Sequence, residues 1–295
     1  MFDPSKGSDS PTAKRLQKIN LRPLVHLDNR YAISADELKN RLDAYDILIV
    51  DLRAKEHGAE GYIPGSVHLD YAQLATTNGK AEGLIPSPAE VSKILSAIGL
   101  QPWHMVVAYD DETGVEAARL LWTLAAVDHE RFAMLNGGFA AWQNTGQPIE
   151  RACLSPRASR YHVRQYSDAR VGKDYVYSAI QRDDVCLVDT RSFAEYSGEE
   201  VRAARGGHIP GAVHFNWMDT IDLFGDGGLR APEQLRTELS AKGITPEKEV
   251  IVYCQTNRRS AHTFVVLKWL GFDNVKAYDG SWSDWGNDPQ MPVAS

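Results

Sequence analysis

Apolar residues in this chain gather in short uninterrupted runs rather than in alternating ones. ILIVDLR ending at Arg53, MVVAYD ending at Asp110, VCLVDTR ending at Arg191 and VIVYC ending at Cys254 all read this way. Such runs predict strands covered on both faces, because a half-exposed strand would alternate polar and apolar positions. Between them lie stretches with helical spacing, SPAEVSKILSAIGL from Ser87 and APEQLRTELSAKGI from Ala231. Each opens on a residue–Pro pair followed by an acidic residue, and Gly99 or Gly243 follows the last apolar turn, as start and stop signals require. Strands alternating with helices predict an α/β fold built on mostly parallel sheets flanked by helices.

The pattern occurs twice. ILIVDLR returns as VCLVDTR, GYIPGSVHLD from Gly61 as GHIPGAVHFN from Gly207, and LNGGFAAW ending at Trp142 as YDGSWSDW ending at Trp285. MVVAYDDETGVEAARLLW from Met105 returns as VIVYCQTNRRSAHTFVVL from Val250. Asp51 and Asp189 stand 138 residues apart, Gly65 and Gly211 146, Asp110 and Cys254 144, and Trp142 and Trp285 143. The order is kept, and the slip falls in the segment SGEEVRAARG, which carries Arg202 and Arg205. A repeat this long means two tandem domains rather than a solenoid. The expected layout is a mobile tail over 1–22, a first domain over 23–149, an Arg/Ser/Pro-rich linker over 150–166 and a second domain over 167–295.

Composition narrows the function. The chain has 295 residues, 43% hydrophobic and 24% charged, as a globular protein does. No apolar stretch approaches the length of a membrane span, Ile47–Val50 and Phe264–Leu270 being among the richest. The start, MFDPSKGSDSPTAKRLQK, lacks the apolar core of a secretory signal, so the expected compartment is the cytoplasm. A net charge of −7 argues against nucleic acid as the partner. Three cysteines, at 153, 186 and 254, are too few and scattered for a disulfide framework. The nine histidines show no metal spacing, including His208 and His214 around the GHIPGA turn, so neither a metal nor a cofactor is expected.

The chemistry points to Cys254. Active sites of open α/β sheets lie beyond the carboxyl ends of strands. Tyr253–Cys254 ends such a strand, and a helix follows almost at once. The loop of Gln255, Thr256, Asn257, Arg258, Arg259 and Ser260 therefore presents backbone N–H groups and two cations to the cysteine, which favours thiolate over thiol. An unperturbed cysteine is only about 3% ionised at neutral pH, so the setting matters more than the residue. Cys186 sits among apolar neighbours and reads as core; Cys153 lies in the linker without a flanking pattern. The repeat supplies an internal control: the first copy has Asp110 where the second has Cys254, in the acidic loop DDETGV. A carboxylate cannot do thiolate chemistry, so one site per chain is expected.

At these residues the chain resembles the two-domain rhodanese (thiosulfate sulfurtransferase) family, over nearly all its length after the tail. The resemblance rests on the paired D-x-R strands, the GHIPGA turn, the cysteine loop and the closing YDGSWSDW. It implies an inactive first domain, a catalytic second one, and a double displacement through a cysteine persulfide. The expected partners are a small anionic sulfur donor and a thiophilic acceptor such as cyanide, or a sulfur-accepting protein. Loops of the CQTxxR type are a variant of that family, and their basic pair favours thiosulfate over 3-mercaptopyruvate, with Arg258 or Arg259 holding the donor. Many members carry an arginine where this chain has Glu195; Arg202 or Arg205 is a candidate substitute. Asp189 and Arg191 read as ties between the strand end and neighbouring loops, Trp217 as a pocket or interface residue, and Trp282 and Trp285 as packing.

Two other functions use the same loop. A phosphatase or arsenate reductase needs C-x5-R to wrap a tetrahedral oxyanion, whereas Cys254 to Arg259 is C-x4-R, better suited to one sulfur atom. A persulfide carrier would use the same cysteine and differ only in its acceptor. A chain with its own internal domain interface is expected to be a monomer.

Overall fold

In the computed structural model the described residues are 31–295 apart from Glu112 and Asp226. The expected tail over 1–22, and the start of the first domain, lie outside them. The chain forms two five-stranded sheets, each wholly parallel. The first runs β3-β2-β6-β7-β1, from β1 (Ala32–Ile33), β2 (Ile47–Asp51), β3 (Val67–His68), β6 (Met105–Tyr109) and β7 (Phe132–Leu135). The second runs β10-β9-β11-β12-β8, from β8 (Arg170–Val171), β9 (Val185–Asp189), β10 (Val213–His214), β11 (Glu249–Tyr253) and β12 (Val275–Tyr278). Strand for strand, the two orders correspond, and Asp51 faces Tyr109 as Asp189 faces Tyr253.

The apolar runs form the inner strands: β6 and β11 are buried at every position, which is why they show no alternation. The helix expected from Ser87 runs Pro88–Ala97, with Ser87 and Glu90 closing a reciprocal capping box and Pro88 where a missing N–H costs nothing. Its counterpart, Pro232–Ala241, starts on Pro without a side-chain cap. After β6 comes the helix Val115–Ala126, and after β11 the helix Arg259–Trp269; these two pack against each other across the domain boundary.

That contact organises the core. One apolar cluster is continuous through both domains, including Leu120, Leu121 and Trp122 of the first and Phe264, Val265 and Leu267 of the second. Each sheet's opposite face has its own smaller cluster, around Trp142 and Phe139 in one case and Trp282 and Trp285 in the other. Removing a large buried side chain of this kind costs about 2–5 kcal/mol. The linker lies along the first domain, where Leu154, Ser159, Tyr161 and Val163 donate backbone hydrogen bonds to Ser66, Ser96 and Ser92.

One element was invisible to the periodicity. An antiparallel pair, β4 (Thr76–Thr77) with β5 (Glu82–Leu84), leaves the first domain and reaches the second. Its sequence, TTNGKAEGL, is too polar and too short to register as a strand pattern. No helix among the described residues is long and apolar enough to cross a membrane.

Candidate active site

The chain leaves β9 outward to β10 and returns to β11 on β9's other side. The carboxyl end of β11 therefore opens on a topological switch point, where ligands of open α/β sheets bind. Cys254 stands there, wholly buried. Its loop is tied from below by the closing motif. Cys254 N–H donates to Ser281 Oγ (3.3 Å), while the Trp282 and Ser283 N–H groups donate to the Cys254 and Gln255 carbonyls (2.9 Å each). Asn257 turns the loop with φ +53°, a left-handed conformation that asparagine tolerates better than most residues. Its Oδ1 accepts from the Ser260 hydroxyl (2.7 Å).

Burial pushes the Cys254 thiol up. The Arg259 guanidinium, the Ser260 hydroxyl and the N–H groups of Ser260 and Thr256 more than offset it, so the thiol is more acidic than an ordinary cysteine. Arg259 is itself held: its two terminal nitrogens donate to the two Glu195 oxygens at 2.6 and 2.8 Å. Burial disfavours the Glu195 charge, yet Arg259 overcomes it and draws the carboxyl down to about 2. Glu195 is fixed in turn by a capping box with Ser192 at the start of the short helix Phe193–Ser197. Arg258 pairs with Glu116 of the first domain and lies over the Tyr71 ring, 5.2 Å from its centroid. Both loop arginines are thus matched by carboxylates, which the basic sequence did not suggest.

Other expected residues fall into distinct places. Asp189 and Arg191 form a buried pair, and Arg191 also donates to the Gly207 carbonyl (2.7 Å). Asp51, Arg53 and Gly61 repeat that arrangement in the copy without a cysteine, so the D-x-R pair is a strand-end tie independent of the chemistry. Arg202 is half-exposed beside Glu195, and its carbonyl accepts from the Gln255 amide (3.0 Å). Arg205 is committed to the carbonyls of Trp285, Asp288 and Met291 and holds the end of the chain, so it is not free to grip a donor. Trp217 packs edge-on against the buried His262 ring at 5.4 Å, a contact within the second domain. Cys186 is buried in β9, where desolvation raises its thiol, and Cys153 is partly exposed in the linker. His208 Nδ1 is bonded to the Tyr196 carbonyl and His214 Nε2 to the Arg191 carbonyl; among the described residues no cluster of His, Cys, Asp and Glu could hold a metal.

The first domain builds the same scaffold around a different occupant. Phe139 and Ala140 donate to the Asp110 and Asp111 carbonyls as Trp282 and Ser283 do in the second copy. The Asp110 carboxylate then accepts from Gly114, Glu116 and Ala117 N–H groups at 2.8, 2.9 and 3.3 Å. The anion cradle of this copy is filled by its own side chain.

Three participants escaped the sequence reading. Arg119, within VEAARLLWTLAA, is the one cation of a helix that is apolar apart from it, Glu116 and Thr123, and that was the available signal. Tyr71 occupies the position that Trp217 holds in the other copy, and its phenol is pushed up by burial and by the nearby Cys254 against the pull of Arg119 and Arg258. Gly83 of the hairpin lies so close to the loop that an added Cβ would sit 2.4 Å from the Thr256 carbonyl oxygen.

Comparison with known proteins agrees with this architecture. The rhodanese-like domain profile matches twice, over residues 34–145 and 173–288. A thiosulfate sulfurtransferase of Azotobacter vinelandii is 36% identical over 261 residues, covering 88% of this chain and 96% of that protein. A sulfur carrier protein of Thermus thermophilus is 33% identical over 262 residues, 84% and 88% of the two chains. Among solved structures, an anaerobic ergothioneine biosynthesis enzyme from Chlorobium limicola superposes with a TM-score of 0.80 at 23% identity, over 91% of this chain and 71% of that one.

Proposed function

The chain belongs to the rhodanese-like domain family, in two tandem copies, and from that membership we propose that it is a thiosulfate sulfurtransferase working through Cys254. The observation that carries the reading is a fully buried cysteine whose thiol is nonetheless acidified by its own loop. The thiolate attacks the outer sulfur of thiosulfate; the S–S bond to the sulfonate sulfur breaks, and sulfite leaves with that electron pair. Cys254 becomes a persulfide anion, its charge facing the Thr256 and Ser260 N–H groups and Arg259. Cyanide then attacks the terminal sulfur, thiocyanate departs, and the thiolate returns. No proton changes hands in either half.

The Ser260 hydroxyl has a single proton. Donated to Asn257 while the cysteine is a thiol, it can turn to the sulfur once that sulfur is charged. Arg259 spends its two terminal nitrogens on Glu195 and turns its remaining edge to the sulfur. Arg202, half-exposed beside Glu195, is ion-paired with Glu200 (2.6 Å), a partner that an arriving anion would have to displace. The second wall of the cleft comes from the same chain, which suits a monomer, and a free thiolate suits a reducing cytoplasm.

The test is mass spectrometry after incubation with thiosulfate and removal of the donor. Wild-type protein should gain one sulfur, lose it to cyanide as thiocyanate, and do neither as Cys254→Ala. Turnover with 3-mercaptopyruvate exceeding that with thiosulfate would reverse the donor assignment. Stable loading with negligible turnover on cyanide would favour a sulfur carrier, the role named for the Thermus relative.

A further inference from the structure

Arg119 stands on the helix after β6 in the inactive domain and has no exposed surface. Its guanidinium reaches out of that domain. Nη1 donates to the Asn257 carbonyl of the catalytic loop (3.0 Å), Nη2 to Leu74 and Gly83 carbonyls (2.9 and 2.8 Å), and Nε to Leu74 (3.3 Å). One face lies over the Trp122 ring, 4.7 Å from its centroid.

Two features set this side chain apart from an ordinary buried tie. First, three of its acceptor residues meet only at the active site: Leu74 ends the turn that begins with Tyr71, Gly83 belongs to the hairpin pressed against Thr256, and Asn257 is the left-handed residue of the loop. Secondly, no carboxylate among the described residues stands within ion-pair distance of Arg119, although a buried cation is normally paired. Carbonyl dipoles compensate it in part. The negative groups whose fields reach it are, largest first, Asp279, Tyr71 when ionised, Cys254, and Tyr166 when ionised.

We propose that Arg119 is a positioning residue for sulfur transfer, supplied by the catalytically inactive domain: it clamps the Asn257 carbonyl, holds the loop amides toward Cys254, and adds a positive field that favours the charged sulfur. The inactive domain then contributes more than a wall. Of its two buried arginines, Arg53 is paired with Asp51, whereas Arg119 touches no carboxylate among the described residues, and a charged cysteine across the boundary adds to the field of Asp279 that stabilises it. The proposal rests on sulfur transfer through Cys254.

Two variants separate clamp from charge. Arg119→Lys keeps the cation but cannot reach three carbonyls at once; Arg119→Gln keeps a donor and loses the charge. Cys254 ionisation is read from the pH profile of iodoacetamide alkylation, which needs no sulfur chemistry, and turnover from thiocyanate formation. The Lys variant should raise the alkylation midpoint less than the Gln variant does and lose about tenfold or more in kcat, with KM for thiosulfate unchanged. The Gln variant should shift the midpoint up by about one unit, slowing alkylation at neutral pH about tenfold. A Lys variant within twofold of wild-type kcat, or a folded Gln variant with the wild-type midpoint, would overturn the proposal. If the Gln variant fails to fold in a thermal melt, the Lys kcat decides. Failure of wild-type protein to load sulfur would instead sink the sulfurtransferase reading, while the alkylation midpoints would still report on Arg119.

Discussion

Replacing Arg259 by alanine should damage two properties that are separable by a second mutation. The Arg259–Glu195 pair is bidentate, and the carboxylate is almost inaccessible. Glu195 falls from 4.5 to about 2 in the folded protein, a difference of about 3 kcal/mol. Because its folded value is depressed, this contribution is fully present above about pH 4.5 and drains away as pH falls toward 2. Arg259→Ala strands the carboxylate, so the variant should lose about 3 kcal/mol at pH 7, and its stability should be flatter across that acid window. The thiol should also rise, since Arg259 is its strongest electrostatic support. Adding Glu195→Gln removes the stranded charge and should restore most of the stability, but not the thiolate or turnover. Urea unfolding at several pH values, alkylation profiles and the thiocyanate assay read the three quantities. An Arg259→Ala protein with wild-type acid stability and an unmoved thiol would refute the reasoning.

Gly83→Ala adds a methyl 2.4 Å from the Thr256 oxygen at φ +73°, so the hairpin must lift off the loop; kcat should fall about tenfold or more while the fold survives a thermal melt. His262 is buried without a full hydrogen bond at either ring nitrogen, and burial outweighs the opposing pull of the Thr113 backbone to push it down to about 4. The unfolded chain takes up that proton first, so wild-type stability should drop by about 3 kcal/mol between pH 6.5 and 4. His262→Phe should remove that drop in pH-dependent unfolding and leave neutral-pH stability equal or higher. Asp110→Cys in a Cys254→Ser background should take up no sulfur from thiosulfate, because Asp111 and Glu116 flank the new thiol; a mass gain would show that the first cradle is limited only by its occupant.

What the sequence disclosed was whatever recurs at a fixed spacing. The uninterrupted runs announced buried parallel strands, and the four anchors of the repeat carried both sheets. Cys254 stood out because the other copy has Asp110 in its place. The partners of the site were harder to see, since a salt bridge such as Glu195–Arg259 or Arg258–Glu116 joins residues far apart in sequence and leaves no periodicity. The two arginines looked free to grip a donor because their carboxylates lie on other elements, one of them in the other domain. Asp189–Arg191 was readable as a structural tie, and its double in the copy without a cysteine supplies the reason.

Cys254 has no exposed surface, and this bears on time as well as on reach. A persulfide open to solvent is quickly scavenged by any passing thiol or oxidant. One sealed beneath a loop and a neighbouring domain's hairpin waits for a visitor slender enough to enter. Cyanide is such a visitor, and so is the tip of a single extended thiol; a bulky reductant is not. Loaded protein freed of donor should therefore hold its sulfur through prolonged storage, and release it according to the acceptor's shape rather than its reducing power.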